Sequence, residues 1–164
     1  MGHEQYFNLL RDYYEVMSDP IINTLGEVYQ YIGDEVVVTW ESAKGLTDHH
    51  CIQCFKEIKR SMNDNADSFQ KKYGLVPDFK AGLHVGEVTT GEIGALKKEI
   101  FYTGDVLNTT ARAQELCNEN NTDLILTSDL LNRLDYSNHW NAEYIGELPL
   151  KGKSKPVKLC RMNL

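Results

Sequence analysis

Two β-rich runs separated by only two residues constrain this fold more than any other part of the sequence. Residues 27–32 (EVYQYI) and 35–40 (EVVVTW) are rich in valine, isoleucine and aromatic residues, and Gly33-Asp34 lies between them. This spacing predicts a β-hairpin, because a two-residue turn is enough to connect two antiparallel strands. The turn would present the Asp34 carboxylate at the tip of the hairpin.

Apolar residues recur at helical spacing on both sides of this hairpin. Residues 6–17 form the first such segment, and Asp19-Pro20 predicts its end because proline disfavours the helical conformation in the residue before it. A second segment covers residues 49–73 and ends before Gly74, a residue type common at helix ends. We expect this second helix to cover one face of a sheet.

The rest of the chain alternates short β-rich runs with helical segments. Residues 80–85 and 87–93 are two such runs that meet at Gly86, which predicts a second hairpin. Residues 124–127 and the tail from residue 140 supply further strands, and a helix is predicted between residues 104 and 118. Because no repeat or linker interrupts the chain, we predict one α+β domain over residues 1–164, built on a mixed sheet.

The composition limits the partners and the compartment of this chain. A net charge of -7 argues against a general affinity for nucleic acid, which requires a basic surface. No run of about 18 apolar residues and no signal peptide are present, so membrane contact by this chain is not expected. The four cysteines are interpreted as reduced, buried thiols, which is typical of a cytoplasmic protein.

The run from Gly104 to Arg112 (GDVLNTTAR) carries the strongest chemical signal. A glycine turn precedes the predicted helix, and Asn108 and Arg112 are four residues apart on it. Positions i and i+4 share one helix face, so this amide and this guanidinium can address one ligand, and an arginine near a helix N-terminus suits an anion. The alternative is a surface arginine beside a polar residue, without a ligand.

Asp34 and a basic turn add two further candidates. A carboxylate held in a turn is a ligand of the type that magnesium prefers, although Asp34 could instead satisfy the turn through its own side chain. The segment 151–155 (KGKSK) carries cations suited to phosphates, although a solvated loop has the same composition.

Four segments together resemble a known family. Their spacing and order are similar to those of the catalytic domain of class III adenylate and guanylate cyclases, most of all its bacterial single-domain members. The segments are Gly26 to Glu35, Ala81 to Val88 with Gly91 and Gly94 beyond it, Gly104 to Arg112, and Leu148 to Lys153. The resemblance covers essentially the whole chain, and it implies a ferredoxin-like cyclase fold that binds a nucleoside triphosphate between the two subunits of a homodimer.

The resemblance also implies a role for each candidate residue. Asp34 matches the second metal-binding aspartate, contributed by one subunit. Asn108 matches the asparagine that orients the ribose, and Arg112 the arginine that stabilises the transition state, both contributed by the other subunit. Lys151, or Lys153 two residues on, matches the lysine that holds the terminal phosphates. The implied reaction closes a 3′,5′-cyclic ester and releases pyrophosphate, with two Mg²⁺ or Mn²⁺ ions.

Three departures from the family pattern bear on activity and base preference. The family domain opens with a strand that carries the other metal-binding aspartate, and the match here begins only after that stretch, which implies either a piece of a longer protein or a noncatalytic member. Gln30 lies at the base-reading position and can both donate and accept. Phe101 lies where a base-edge contact is expected, and its ring can only pack or stack.

Two functions from different classes therefore remain. The first is a nucleotide cyclase, with ATP favoured over GTP. The second is a noncatalytic module with the cyclase fold, which supports dimerisation or regulation and binds nucleotide without turnover. A diguanylate cyclase is disfavoured, because its G-G-D-E-F signature is absent from the sequence.

Overall fold

The computed structural model describes residues 2–93, 99–134, 141–149 and 156–164. Contacts within the chain group them into unit 1 (Met1–Phe79) and unit 2 (Lys80–Leu164). Helices and mainly antiparallel strands occur together, so the predicted α+β class is confirmed. Across these ranges, no helix combines the length and the apolar character needed to cross a membrane.

Unit 1 combines helices with one hairpin. Its elements, in chain order, are α1 (His3–Asn23), β1 (Glu27–Ile32), β2 (Glu35–Thr39), α2 (Ser42–Leu46), a 3₁₀ turn (Thr47–His49), α3 (His50–Asp64) and α4 (Ala66–Tyr73). The strands β1 and β2 pair antiparallel, which confirms the first predicted hairpin. Helices α1, α3 and α4 enclose the core of this unit through Leu9, Tyr13, Met17, Ile21, Cys54, Ile58, Met62, Phe69 and Tyr73.

The predicted end of the first helix is wrong, because α1 continues through Pro20 to Asn23. Proline at this position removes one hydrogen bond, but only three residues follow it in the helix, and Pro20 is itself buried. The Thr24 hydroxyl also donates to the Pro20 carbonyl oxygen (2.7 Å), which satisfies one acceptor at the helix end. Burial of Pro20 and Ile21 in the core therefore outweighs the local preference of proline.

Residues 49–73 form two helices where one was predicted. The break falls at Asn65, which lies between α3 and α4 with φ of -97° and ψ of 4°. The Asn65 side chain donates to the Ser61 carbonyl oxygen (2.9 Å), so an asparagine ends α3 by competing for its backbone acceptors. The predicted end at Gly74 is confirmed, since this glycine caps α4 with a φ of +76°.

The described residues of unit 2 form a four-stranded sheet, a separate hairpin and two helices. Its elements are β3 (Ala81–Leu83), β4 (Thr89–Ile93), β5 (Glu99–Thr103), α5 (Val106–Glu115), β6 (Leu124–Thr127), α6 (Ser128–Arg133), β7 (Ala142–Leu148) and β8 (Val157–Met162). The sheet order is β3-β6-β8-β7, with β3 parallel to β6 and the other neighbours antiparallel. All four residues of β6 are buried.

The predicted hairpin at Gly86 is wrong. Strand β3 pairs with β6, whereas β4 pairs with β5 in a hairpin of its own. Gly86 lies between the two strands, and a side chain there would meet the Val106 Cγ2 atom at 2.7 Å. This glycine therefore permits close packing beside the start of α5 instead of a tight turn between paired strands.

Helix α5 packs closely against β3. A Cβ atom at Gly82 would lie 2.4 Å from the carbonyl oxygen of Thr110 and 2.7 Å from the backbone nitrogen of Gln114. Only a glycine lets the strand and the helix backbone approach this closely. On the helix, Ala113 is fully buried in a cluster that includes Ile125 of β6 and Leu159 of β8. This packing sets the position of the exposed face of α5.

Candidate active site

The Asp34 carboxylate lies at the tip of the first hairpin, as predicted. Ile32 and Glu35 are the last paired residues of the two strands, so Gly33 and Asp34 alone form the turn. Gly33 has a φ of +63° and Asp34 does not have a positive φ, which is typical of a type II′ turn with glycine in its first central position. The order Gly-Asp therefore follows from the turn type.

The Asp34 side chain is exposed and available to a ligand. Within the described ranges, its carboxylate accepts no hydrogen bond and forms no ion pair, so the alternative in which Asp34 satisfies its own turn does not apply. Gln30, on β1, is exposed as well. The register of β1 shifts between Val28 and Gln30, and this β-bulge breaks the regular alternation of the strand just before Gln30.

Tyr14 of α1 holds the turn that carries Asp34. Its hydroxyl donates to the carbonyl oxygen of Gly33 at 2.7 Å and lies 3.2 Å from that of Glu35. Burial and the negative charge of Asp34 both raise the pKa of the Tyr14 phenol, so this hydroxyl remains a donor at neutral pH. Tyr14 is not a candidate from the sequence, in which its only signal is its place among the aromatic residues of the first helix.

The Asn108 and Arg112 side chains are exposed on α5, one helical turn apart. Thr109 and Ala113, the next residue after each of them, are buried, so the helix presents this pair on its outer face. The Asn108 amide forms no hydrogen bond to any residue that the structure describes. The predicted pairing of an amide with a guanidinium on one helix face is therefore consistent with the packing of unit 2.

Arg112 is oriented by the end of strand β7. Its Nη1 atom donates to the carbonyl oxygen of Pro149 at 3.0 Å. Arginine has five N–H donors, so this bond leaves the others for a bidentate contact with a phosphate. Lys151 and Lys153, the predicted phosphate-binding lysines, lie outside the described residues, and Pro149 is two residues before the first of them.

Phe101 lies on β5 with its ring half-exposed, at 49 % of the maximum. Its cross-strand neighbour on β4 is Gly91, which has no side chain to cover it. The ring is therefore open to stacking against a flat partner such as a base. Gln30 and Asp34 belong to unit 1, whereas Phe101, Asn108 and Arg112 belong to unit 2.

The donor groups of this chain fit a hard divalent cation only in part. Asp34 supplies one unpaired carboxylate, and among the residues that the structure describes no three His, Cys, Asp or Glu side chains are clustered to hold a metal. Mg²⁺ characteristically binds through one or two carboxylates together with substrate phosphates, so Asp34 fits a metal that arrives with a nucleotide. The Cys51 and Cys54 thiols do not fit such a metal, because burial raises the pKa of both to about 11 and Mg²⁺ prefers oxygen ligands.

A family model described as the adenylate and guanylate cyclase catalytic domain matches residues 2–160. The match extends over both units and over every candidate residue named above. The chain therefore belongs to the adenylate and guanylate cyclase family and has the α+β fold of its catalytic domain, which confirms the resemblance inferred from the four sequence segments.

Two relatives from bacteria illustrate this membership. Adenylate cyclase 2 of Rhizobium meliloti (strain 1021) is 37% identical over 149 residues, which is 91% of this chain and 41% of the relative. The adenylate cyclase of Anabaena cylindrica is 22% identical over 159 residues, which is 94% of this chain and 32% of the relative. The chain thus spans less than half the length of these two relatives.

Solved structures of similar fold include cyclases of both base specificities. A bacterial light-regulated adenylyl cyclase superimposes with a TM-score of 0.81 at 20% identity, covering 99% of this chain and 46% of that chain. The guanylyl cyclase Cya2 superimposes with a TM-score of 0.79 at 22% identity, and the superposition covers 99% of this chain and 82% of that chain. At such identities the likeness establishes the fold alone. Because adenylyl and guanylyl cyclases share this fold, it does not distinguish ATP from GTP as the substrate.

Proposed function

We propose that this chain is the catalytic domain of an adenylate cyclase, which converts ATP to a 3′,5′-cyclic nucleotide and pyrophosphate. The observation that carries the proposal is the exposed Asn108 and Arg112 pair on α5, held by the packing of the helix against β3. ATP is favoured over GTP because both bacterial relatives described above are named adenylate cyclases.

In the proposed reaction, the ribose 3′-oxygen attacks the α-phosphorus. The 3′-hydroxyl gives its proton to a water molecule as a new P–O bond closes the ring, the bond from the α-phosphorus to the bridging oxygen breaks, and pyrophosphate leaves with that electron pair. Asn108 can hydrogen-bond to the nucleotide and hold the ribose in position for attack. Arg112 places a permanent positive charge where negative charge grows on the phosphoryl oxygens and the leaving group.

Asp34 is the residue that would hold a divalent metal in this site. Mg²⁺ or Mn²⁺, when bound, would make the 3′-hydroxyl easier to deprotonate and neutralise part of the triphosphate charge. Since Asp34 provides a single carboxylate, metal binding should depend on the nucleotide phosphates. Lys151 or Lys153 is proposed to contact those phosphates.

We further propose that the active site is shared between two copies of the chain in a homodimer. Asp34 and Gln30 would act from one subunit, and Asn108 and Arg112 from the other. The proposed compartment is the cytoplasm, where ATP is available and where the four buried cysteines, which form no disulfide, remain reduced. The net charge of -7 argues against nucleic acid as a further partner.

A second candidate is a noncatalytic member of the family that binds nucleotide without turnover. Gln30 and Phe101 favour it, since an amide that both donates and accepts does not select adenine or guanine and a phenyl ring can only stack. The two candidates differ in product formation and not in nucleotide binding.

One assay separates them. The purified protein is incubated with ATP or GTP and manganese, cyclic nucleotide is measured, and binding of a non-hydrolysable ATP analogue is measured in parallel. Cyclic AMP formed faster than cyclic GMP supports the proposal. Binding without any cyclic product supports the noncatalytic candidate.

A further inference from the structure

The structure assigns to Tyr14 the role of a positioning residue for Asp34: its hydroxyl fixes the hairpin turn so that the Asp34 carboxylate keeps one orientation. The inference rests on the proposed function, in which Asp34 holds the metal. Tyr14 acts through another residue and needs no contact with the nucleotide.

The Tyr14 hydroxyl contacts the backbone before and after Asp34. The two carbonyl groups within reach of the Tyr14 oxygen belong to Gly33 and Glu35, the residues immediately before and after Asp34. A phenol has one hydrogen to donate, so the 2.7 Å bond to Gly33 is the stronger and the 3.2 Å contact to Glu35 is shared or alternates with it. The Gly33 carbonyl lies in the peptide group that precedes Asp34, and the Glu35 carbonyl lies in the peptide group that follows Glu35, so the hydroxyl contacts the chain on both sides of Asp34.

The ring of Tyr14 is itself well fixed. Its centroid lies 4.3 Å from that of Tyr31 on β1 and 5.4 Å from that of Tyr13. It also packs against the core of unit 1, which includes Tyr13 and Met17 of the same helix. A hydroxyl on a ring held between a helix and a strand can restrain an exposed turn, whereas a hydroxyl on a mobile side chain could not.

Restraint of this turn matters because Asp34 is the only residue proposed here to bind the metal from unit 1. A two-residue turn that fluctuates would present its carboxylate in several directions and would bind the metal less tightly. Groups that orient a metal ligand commonly change metal affinity by about 10- to 100-fold. The alternative is that Tyr14 merely stabilises the hairpin, without effect on metal binding.

The chain offers a matched control in Tyr31. Tyr14→Phe keeps the ring and its stacking but removes the hydroxyl, and Tyr31→Phe makes the same change on the other ring of the pair. Manganese affinity is measured by electron paramagnetic resonance with a non-hydrolysable ATP analogue present, and hydrogen exchange is measured at residues 33–35. Asp34→Asn serves as the reference for loss of the metal ligand.

We expect Tyr14→Phe to weaken manganese binding about 10-fold and to speed exchange at the turn, and Tyr31→Phe to change neither by more than about 2-fold. Incorporation of 4-aminophenylalanine at position 14, which keeps a donor at the same place, should restore the affinity. This second variant also tests the role of Tyr14 if Tyr14→Phe does not fold. Manganese binding by the 4-aminophenylalanine variant that is weaker than that of the wild type would then overturn the inference.

Unchanged manganese affinity in Tyr14→Phe overturns the inference, even if exchange at the turn becomes faster. Unchanged affinity in Asp34→Asn overturns it as well, since Tyr14 would then have no ligand to position. If the wild-type protein binds manganese with the analogue but forms no cyclic nucleotide, the proposed catalytic function fails, and the role of Tyr14 is still decided by the binding measurements.

Discussion

The Arg112 guanidinium donates a hydrogen bond from Nη1 to the backbone carbonyl oxygen of Pro149, 3.0 Å away. This bond joins the exposed face of α5 to the end of β7, and it directs the guanidinium while leaving its remaining donors available. A backbone carbonyl accepts the bond, and among the residues that the structure describes no carboxylate forms an ion pair with Arg112 that would neutralise its charge. An arginine held in this way suits a role in stabilising developing negative charge.

Arg112→Ala should therefore lower turnover far more than it lowers nucleotide affinity. A contact that strengthens only in the transition state affects kcat and leaves KM nearly unchanged, and we expect a loss of at least about 100-fold in kcat. Steady-state kinetics with ATP and manganese provide the measurement. Arg133→Ala, which removes an exposed arginine from α6, is the control. Equal losses in kcat and in affinity would mean that Arg112 binds the ground state.

Gly82→Ala should impair both folding stability and activity. The new methyl group would meet backbone atoms of Thr110 and Gln114 at 2.4 and 2.7 Å, and backbone atoms cannot move aside as a flexible side chain can. We expect a loss of about 1–3 kcal/mol in the free energy of unfolding, together with reduced kcat because α5 carries Asn108 and Arg112. Urea denaturation and the cyclase assay measure the two effects. Gly91→Ala, with no atom within 4 Å of its added Cβ, should be nearly neutral in stability.

Thr109→Val should stabilise the protein. The Thr109 hydroxyl is fully buried and finds no hydrogen-bond partner among the residues that the structure describes. Replacing an unsatisfied hydroxyl by a methyl group of similar shape should raise the free energy of unfolding by about 1 kcal/mol. Thr110→Val is the matched comparison, since the Thr110 hydroxyl donates to the Val106 carbonyl oxygen at 2.8 Å and its loss should give no gain. A destabilised Thr109→Val variant would show that its hydroxyl has a partner after all.

Asp12 should make the stability of unit 1 depend on pH below about 4. Hydrogen bonds from Lys72, and then from Tyr73, lower the pKa of the Asp12 carboxyl from 3.8 to about 2. Because the folded-state pKa is below the unfolded value, the stabilisation is present above that value and is lost as the pH falls from about 4 towards 2. Asp12→Asn should lose less stability over this interval than the wild type does in urea denaturation. A profile for Asp12→Asn identical to that of the wild type would rule out the contribution.

Local features of the sequence predicted much of the site. The hairpin with Asp34 at its tip depends on a two-residue turn, and the Asn108 and Arg112 pair depends on helical periodicity, so neither requires knowledge of distant contacts. The family resemblance extended these local predictions to the whole fold, because the order and spacing of the motifs carry information that composition does not.

The predictions that failed depend on distant parts of the chain. Strand β3 pairs with β6, about forty residues further on, and not with the next strand in sequence. Helix α1 continues past Pro20 because Ile21 is buried against other helices. Tyr14 reaches a turn that lies nineteen residues away in sequence. Tertiary packing decides each of these cases, and no local pattern encodes it.

In the proposed homodimer, Asp34 of one copy and Arg112 of the other act together in one active site. Asp34→Asn and Arg112→Ala are prepared separately, and cyclic nucleotide formation from ATP is measured for each variant and for their equimolar mixture. Both variants alone should be almost inactive, whereas the mixture should recover up to about a quarter of the wild-type activity, since half of the dimers then contain one intact site of two. A mixture no more active than the two variants alone, under conditions where the wild type is active and subunits exchange, would contradict the shared site.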